Sequence, residues 1–115
     1  MRFSILLILF LSTSSFAATE REDVRSVVKE HLKDVKICYS EALAKKPEIE
    51  GKVVVDWTVS DTGAVTKVSI NDAKTTLKDL EVQSCITEKF KSWKFPPAQK
   101  DQVITVSYPF VFTRD

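Results

Sequence analysis

The chain has 115 residues, enough for one domain and too few for two. Its 17 basic and 16 acidic residues leave a formal net charge of +1, without the positive excess of a nucleic-acid binder. Two Gly exclude a Gly-rich phosphate loop, one His with two Cys falls short of a structural zinc site, and 43% hydrophobic content belongs to a folding chain.

The first residues read as a leader. Met1-Arg2 gives a positive start, residues 3–11 are apolar except for Ser4, and Ser15 and Ala17 suit a cut after Ala17. This pattern predicts a secretory signal peptide over residues 1–17 and a single mature domain over 18–115. The apolar run is too short to span a bilayer, so the mature protein is expected in the periplasm or outside the cell, not integral to the membrane.

Thr19 to Glu22 fits a capping box. A helical stripe follows at Val24, Val28, Val35, Cys38, Tyr39 and Ala42, and Lys45-Lys46 with Pro47 suits its end. From Gly51, Val53, Val55, Trp57 and Val59 alternate with Val54, Asp56, Thr58 and Ser60, the period of a half-buried strand. Asp61-Thr62-Gly63 is turn chemistry and residues 65–70 return as the hairpin partner. Val65 has the opposite parity to Val68 and Ile70, so a bulge is expected near Thr66-Lys67.

Asp79 opens a second helical stripe through Val82, Ile86, Lys89 or Phe90, and Trp93, with Cys85 at its flank and Pro96-Pro97 as its stop. The last strand places Ile104, Val106, Tyr108, Phe110 and Phe112 on one face. Pro109 cannot donate to a ladder, which assigns this strand to a sheet edge. The order α-β-β-α-β predicts an α+β, two-layer fold. A helical crossover returns the third strand parallel to the second, so an all-antiparallel sheet takes the order 2-1-3 with both helices on one face. In an exported domain Cys38 and Cys85 are expected to pair; the alternative is two buried free thiols.

Four features could carry chemistry. Asp61-Thr62-Gly63 is the triplet of aspartic proteases, but that chemistry needs two carboxylates sharing a proton on an all-β scaffold, whereas here a hairpin turn is required. His31 stands seven residues from Cys38, about 10 Å along a helix and too far for a nucleophilic pair. Lys89, Lys91 and Lys94 interleave with Phe90, Trp93 and Phe95, but the aromatics follow the core stripe and the lysines read as a solvated face. The last strand remains: an edge can accept an added peptide strand, or can be an ordinary edge protected by Pro109.

The blocks Cys38-Tyr39, Gly51-Lys52-Val53-Val54-Val55, Asp61-x-Gly63-x-Val65, Cys85-Ile86, Trp93-Lys94-Phe95-Pro96 and Tyr108-Pro109-Phe110 resemble the AgmX/PglI-type C-terminal domain, within the TonB-like C-terminal domains. The resemblance implies a non-enzymatic, cofactor-free cell-envelope protein of a Gram-negative bacterium, whose partner is a protein or peptide and not a nucleic acid. In TonB proteins the last strand pairs with a receptor peptide, a role that maps onto Val103, Ile104, Thr105, Val106, Ser107, Tyr108, Phe110 and Phe112. A cleaved leader and the lack of a Pro-rich spacer depart from TonB proteins, so peptide or partner binding is expected here rather than energy transduction. The rival expectation is an exported inhibitor or structural protein reusing the fold, presenting a loop at residues 48–50 or 72–76. The oligomeric state is left open.

Overall fold

The computed structural model describes residues 23–114. The expected leader and the capping box at residues 19–22 lie outside them. In chain order the elements are α1 (residues 23–30, the described part), α2 (Leu32–Lys45), β1 (Gly51–Val59), β2 (Val65–Ile70), α3 (Leu80–Phe90) and β3 (Ile104–Phe112). The strands form one sheet in the order β2-β1-β3, antiparallel throughout, as the topology argument expects.

β1 is central because it carries the longest β-branched run without Pro or interior Gly. Val53, Val55, Trp57 and Val59 point from β1 into the core and are at most 1% exposed. There they meet Val28, Val35, Cys38 and Ala42 from the first two helices and Val82, Ile86 and Phe90 from α3. Trp57 packs on Phe90 and Phe95, with ring centroids 4.7 and 5.4 Å apart, and Phe90 packs on Trp93 at 4.2 Å. Burying these indole and phenyl rings removes the largest apolar area in the chain from water. The burial of Phe90, Trp93 and Phe95 also takes those rings out of reach of any stacking base. The bulge is present: Thr58 pairs with Lys67 and Val59 with Val65, leaving Thr66 as the extra residue.

Three details differ from the sequence expectation. The first helix is broken at His31, whose φ of −102° and ψ of 7° leave the helical region. The His31 amide closes α1 on the carbonyl of Val28 at 3.1 Å, and the His31 carbonyl opens α2 by accepting from Asp34 at 3.0 Å. The break carries the imidazole onto the indole of Trp93, stacked at 4.5 Å. Second, α3 ends at Phe90, not at the prolines, so Trp93 reaches the core from the turn beyond the helix. Third, Val54 is buried although it faces away from the helices. β2 is too short to pair with the start of β1, and residues 71–77 lie along it instead. Val54 donates to Thr75 Oγ1 at 2.9 Å and accepts from the Asn71 amide at 2.8 Å, while the Thr76 and Leu77 amides donate to the Lys52 carbonyl at 2.8 and 3.0 Å. This satisfies backbone groups that would otherwise be buried without partners.

Candidate functional site

Cys38 on α2 and Cys85 on α3 form a disulfide, with Cα atoms 5.6 Å apart. The same two helices are clasped at their near ends. The Asp79 carboxylate caps α3 by accepting from the Val82 amide at 3.0 Å and takes the Lys46 ammonium at 2.6 Å. The hydrogen bond from Lys46 holds the Asp79 carboxyl below its ordinary range, and the same bond raises Lys46 above its own. The pair is a structural clasp between the two helices.

The Asp61-Thr62-Gly63 triplet forms the hairpin turn. The Gly63 amide donates to the Ser60 carbonyl at 3.0 Å, and Asp61 Oδ2 accepts from the Asp101 amide at 2.8 Å. Gly63 has a φ of 85°, where a side chain is strained, and a Cβ there would strike the Phe95 carbonyl. The Phe95 amide donates to the Gly63 carbonyl at 2.9 Å. Two blocks that resemble a known family, Asp61-x-Gly63 and Trp93-Lys94-Phe95-Pro96, are therefore the two halves of one contact.

β3 stands at the sheet edge and pairs within the described chain with β1 only. Which of its backbone groups face outward follows from β1. Lys52 and Val54 spend their amides or carbonyls on residues 71–77, the side away from β3. Backbone groups alternate sides along a strand, so Val53, Val55 and Trp57 bond toward β3. Their partners are Phe110, Tyr108 and Val106. The odd-numbered residues Thr105, Ser107, Pro109 and Val111 therefore direct their backbone groups away from the sheet. Pro109 lies opposite Val54, and its missing N–H falls on the outer side, where it costs the ladder nothing. This is how a nine-residue strand accommodates an internal proline.

The residues assigned from sequence now separate. Ile104, Val106, Tyr108, Phe110 and Phe112 turn their side chains toward the helical layer and their backbone toward β1, with Phe110 and Phe112 in the core. Thr105 and Ser107 carry outward amides. Val103 precedes the strand and is exposed. Val111 also carries an outward amide, and its side chain is 69% exposed. The other wall was missed by the sequence reading. A groove of about 610 Å³ runs between the C-terminal half of β3 and a face of α2 carrying Leu32, Lys36, Ser40 and Leu43. Tyr39, stacked on Phe112 at 4.8 Å with its hydroxyl donating to the Ile49 carbonyl at 2.7 Å, belongs to the same lining. The signal for this wall was a second stripe beside the core stripe on α2, with leucines at both ends.

Among the described residues no helix is long and apolar enough to cross a membrane. No match to a curated protein was found. Among solved structures, the chain is similar to the TonB C-terminal domain of Pseudomonas aeruginosa, at 19% identity over 63% of this chain and 73% of that one, with a TM-score of 0.46. It is also similar to the TonB C-terminal domain of Helicobacter pylori, at 18% identity over 73% of this chain and 80% of that one, with a TM-score of 0.45. The family model described as the Gram-negative bacterial TonB protein C-terminal matches residues 38–113, a span that includes both cysteines, the Gly63–Phe95 contact and all of β3, and the chain belongs to that family.

Proposed function

We propose that this protein is a non-enzymatic periplasmic binding or adaptor module that takes an extended segment of a cell-envelope protein as an added strand on β3. The observation that carries this reading is the outward row of backbone groups at Thr105, Ser107 and Val111 beside an open groove. Added-strand recognition draws affinity from main-chain hydrogen bonds and selectivity from the pockets that alternate side chains enter. Membership of a family of protein-interacting envelope modules supports the partner class. The two cysteine-bearing blocks support the narrower AgmX/PglI type, and a disulfide suits an oxidising compartment.

The rival reading, an exported inhibitor or structural protein reusing the fold, has two candidate loops, residues 48–50 and 72–76, and the second has less support. Thr75 is buried, and it and Thr76 are tied to β1 through Val54 and Lys52.

The test is capture of partners from envelope extract by the wild-type protein and by Ser107→Pro, with identification by mass spectrometry. Proline at 107 removes an outward donor and leaves the ladder with β1 intact. The variant should keep its circular dichroism and lose the partner. Equal capture by both proteins would move the site to the loops. The expected leader is tested separately: N-terminal sequencing of exported protein should begin at Ala18, and recovery of Met1 would overturn cleavage.

A further inference from the structure

We infer that the β3 groove selects a peptide carrying an acidic side chain between apolar ones on the face that meets α2, with Lys36 as the residue that reads the acid. The inference rests on strand addition at β3 and adds what the added strand must contain. At about 610 Å³ the groove has the size of a ligand-binding cleft.

A strand laid along β3 has alternate side chains pointing to opposite faces. Those on the helical side meet α2, where Leu32 and Leu43, both half-buried, flank the exposed Lys36 and Ser40. The spacing suits this placement. Four helical residues from Leu32 to Lys36 rise about 6 Å. Two residues of an extended peptide advance about 6.7 Å, so an apolar residue beside Leu32 puts the next same-face residue beside Lys36.

The charge is one-sided. Among the described residues that line the groove there are two cations, Lys36 and Arg114, and no anion. Arg114 already has Glu50 at 3.2 Å, whereas Lys36 has no ion-pair partner among the described residues. A carboxylate on the added strand would meet a cation in a cleft walled by Leu32, Leu43, Tyr108 and Phe110. A basic residue at the same place would meet like charge. Electrostatic matching of this kind discriminates between partners more than it sets raw affinity.

The test uses the full-length oxidised protein and three fluorescein-labelled nine-residue peptides. Each has Val at positions 3 and 7 and a Thr/Ser background, and they differ only at position 5, which is Glu, Gln or Lys. Fluorescence anisotropy should rank them Glu, Gln, Lys, with about fivefold or more between the extremes at low salt. Lys36→Glu should reverse the order and Lys36→Gln should remove it; both should fold, because Lys36 makes no contact that the core needs. The discrimination should shrink at about 0.5 M salt, where exposed charges are screened. Ser107→Pro should weaken all three peptides together. Equal binding of the Glu and Lys peptides, or an unchanged ranking in Lys36→Glu, overturns the selectivity while leaving strand addition standing if Ser107→Pro still weakens binding. Binding of none of the peptides by wild-type protein also overturns it, and the capture experiment then judges strand addition alone.

Discussion

Trp57 shows how one side chain can organise a small core. It is 1% exposed, touches the rings of Phe90 and Phe95, and stands on the central strand. Trp57→Ala should lower unfolding free energy by about 3–5 kcal/mol in urea titration, the range for deleting a large buried aromatic. Its indole N–H has no protein acceptor among the described residues, so Trp57→Phe removes volume but no hydrogen bond and should cost clearly less than Trp57→Ala. A flat response to Trp57→Ala would mean that the sheet faces are reversed. Gly63 acts through backbone, not burial. A side chain there meets both a left-handed φ of 85° and the Phe95 carbonyl, so Gly63→Ala should cost about 1–3 kcal/mol. It should also loosen residues 93–98, visible as faster amide exchange at Phe95 and Ala98, whose N–H groups bond Gly63 and Ser60.

Between elements, the contact of α2 with α3 is reinforced twice. The disulfide closes a separation of 47 residues, for which the chain-entropy model gives roughly 4 kcal/mol. Reduction, or the paired change Cys38→Ser and Cys85→Ser, should lower the unfolding midpoint with little change in the folded circular dichroism. The Lys46–Asp79 pair adds a pH dependence of known sign. The folded Asp79 carboxyl is held below its ordinary value of 3.8, so its contribution is present above about pH 4 and is lost as pH falls through the lowered value. Lys46 is raised above its ordinary 10.5, so its contribution is present below that pH and is lost as pH rises through the raised value. Asn also caps helices well, so Asp79→Asn isolates the charge. Its deficit in urea stability should be largest between about pH 5 and 9 and should shrink as pH falls below the ordinary carboxyl value toward the lowered one.

For the molecule as a whole, the sheet has two edges, and β3 is the longer one. An unprotected nine-residue edge invites association with other chains. Pro109 interrupts the outward donors in mid-strand, between Ser107 and Val111. This blunts pairing with another copy while leaving three outward amides, at Thr105, Ser107 and Val111, unpaired by β1. Pro109→Ala should therefore keep the fold, because no bond to β1 changes, and should shift the sedimentation profile toward larger species at concentrations where wild-type protein does not change. Unaltered sedimentation would show that the proline serves some other purpose.

Much of this architecture is local in origin and was legible in the residues. Strand alternation in β1, the parity slip that became the Thr66 bulge, the proline that put β3 at an edge, and the 2-1-3 order follow from side-chain period, from proline's missing donor and from the strand directions that a hairpin and a helical crossover impose. Placement of Cys38 and Cys85 on or beside apolar stripes also anticipated their pairing. Other features depend on what packs against what. The break at His31 leaves no trace in the periodicity, because Val28 and Val35 keep the same face on either side; it coincides with a ring contact to Trp93, 62 residues away in the chain. Burial of Val54 needed Thr75 to turn back onto β1. The outward choice of Thr105, Ser107 and Val111 came from the register against β1, since alternation shows that backbone groups switch sides but not which set is free. The groove itself, with Lys36 between two leucines, required α2 to lie alongside β3. The sequence by itself determined the strands, their order and the main helical stripes, because these rest on local spacing; only the tertiary structure decided where the helices break and end, and which backbone groups and which helix face stay unpaired, because those are what remains after every long-range pairing is made.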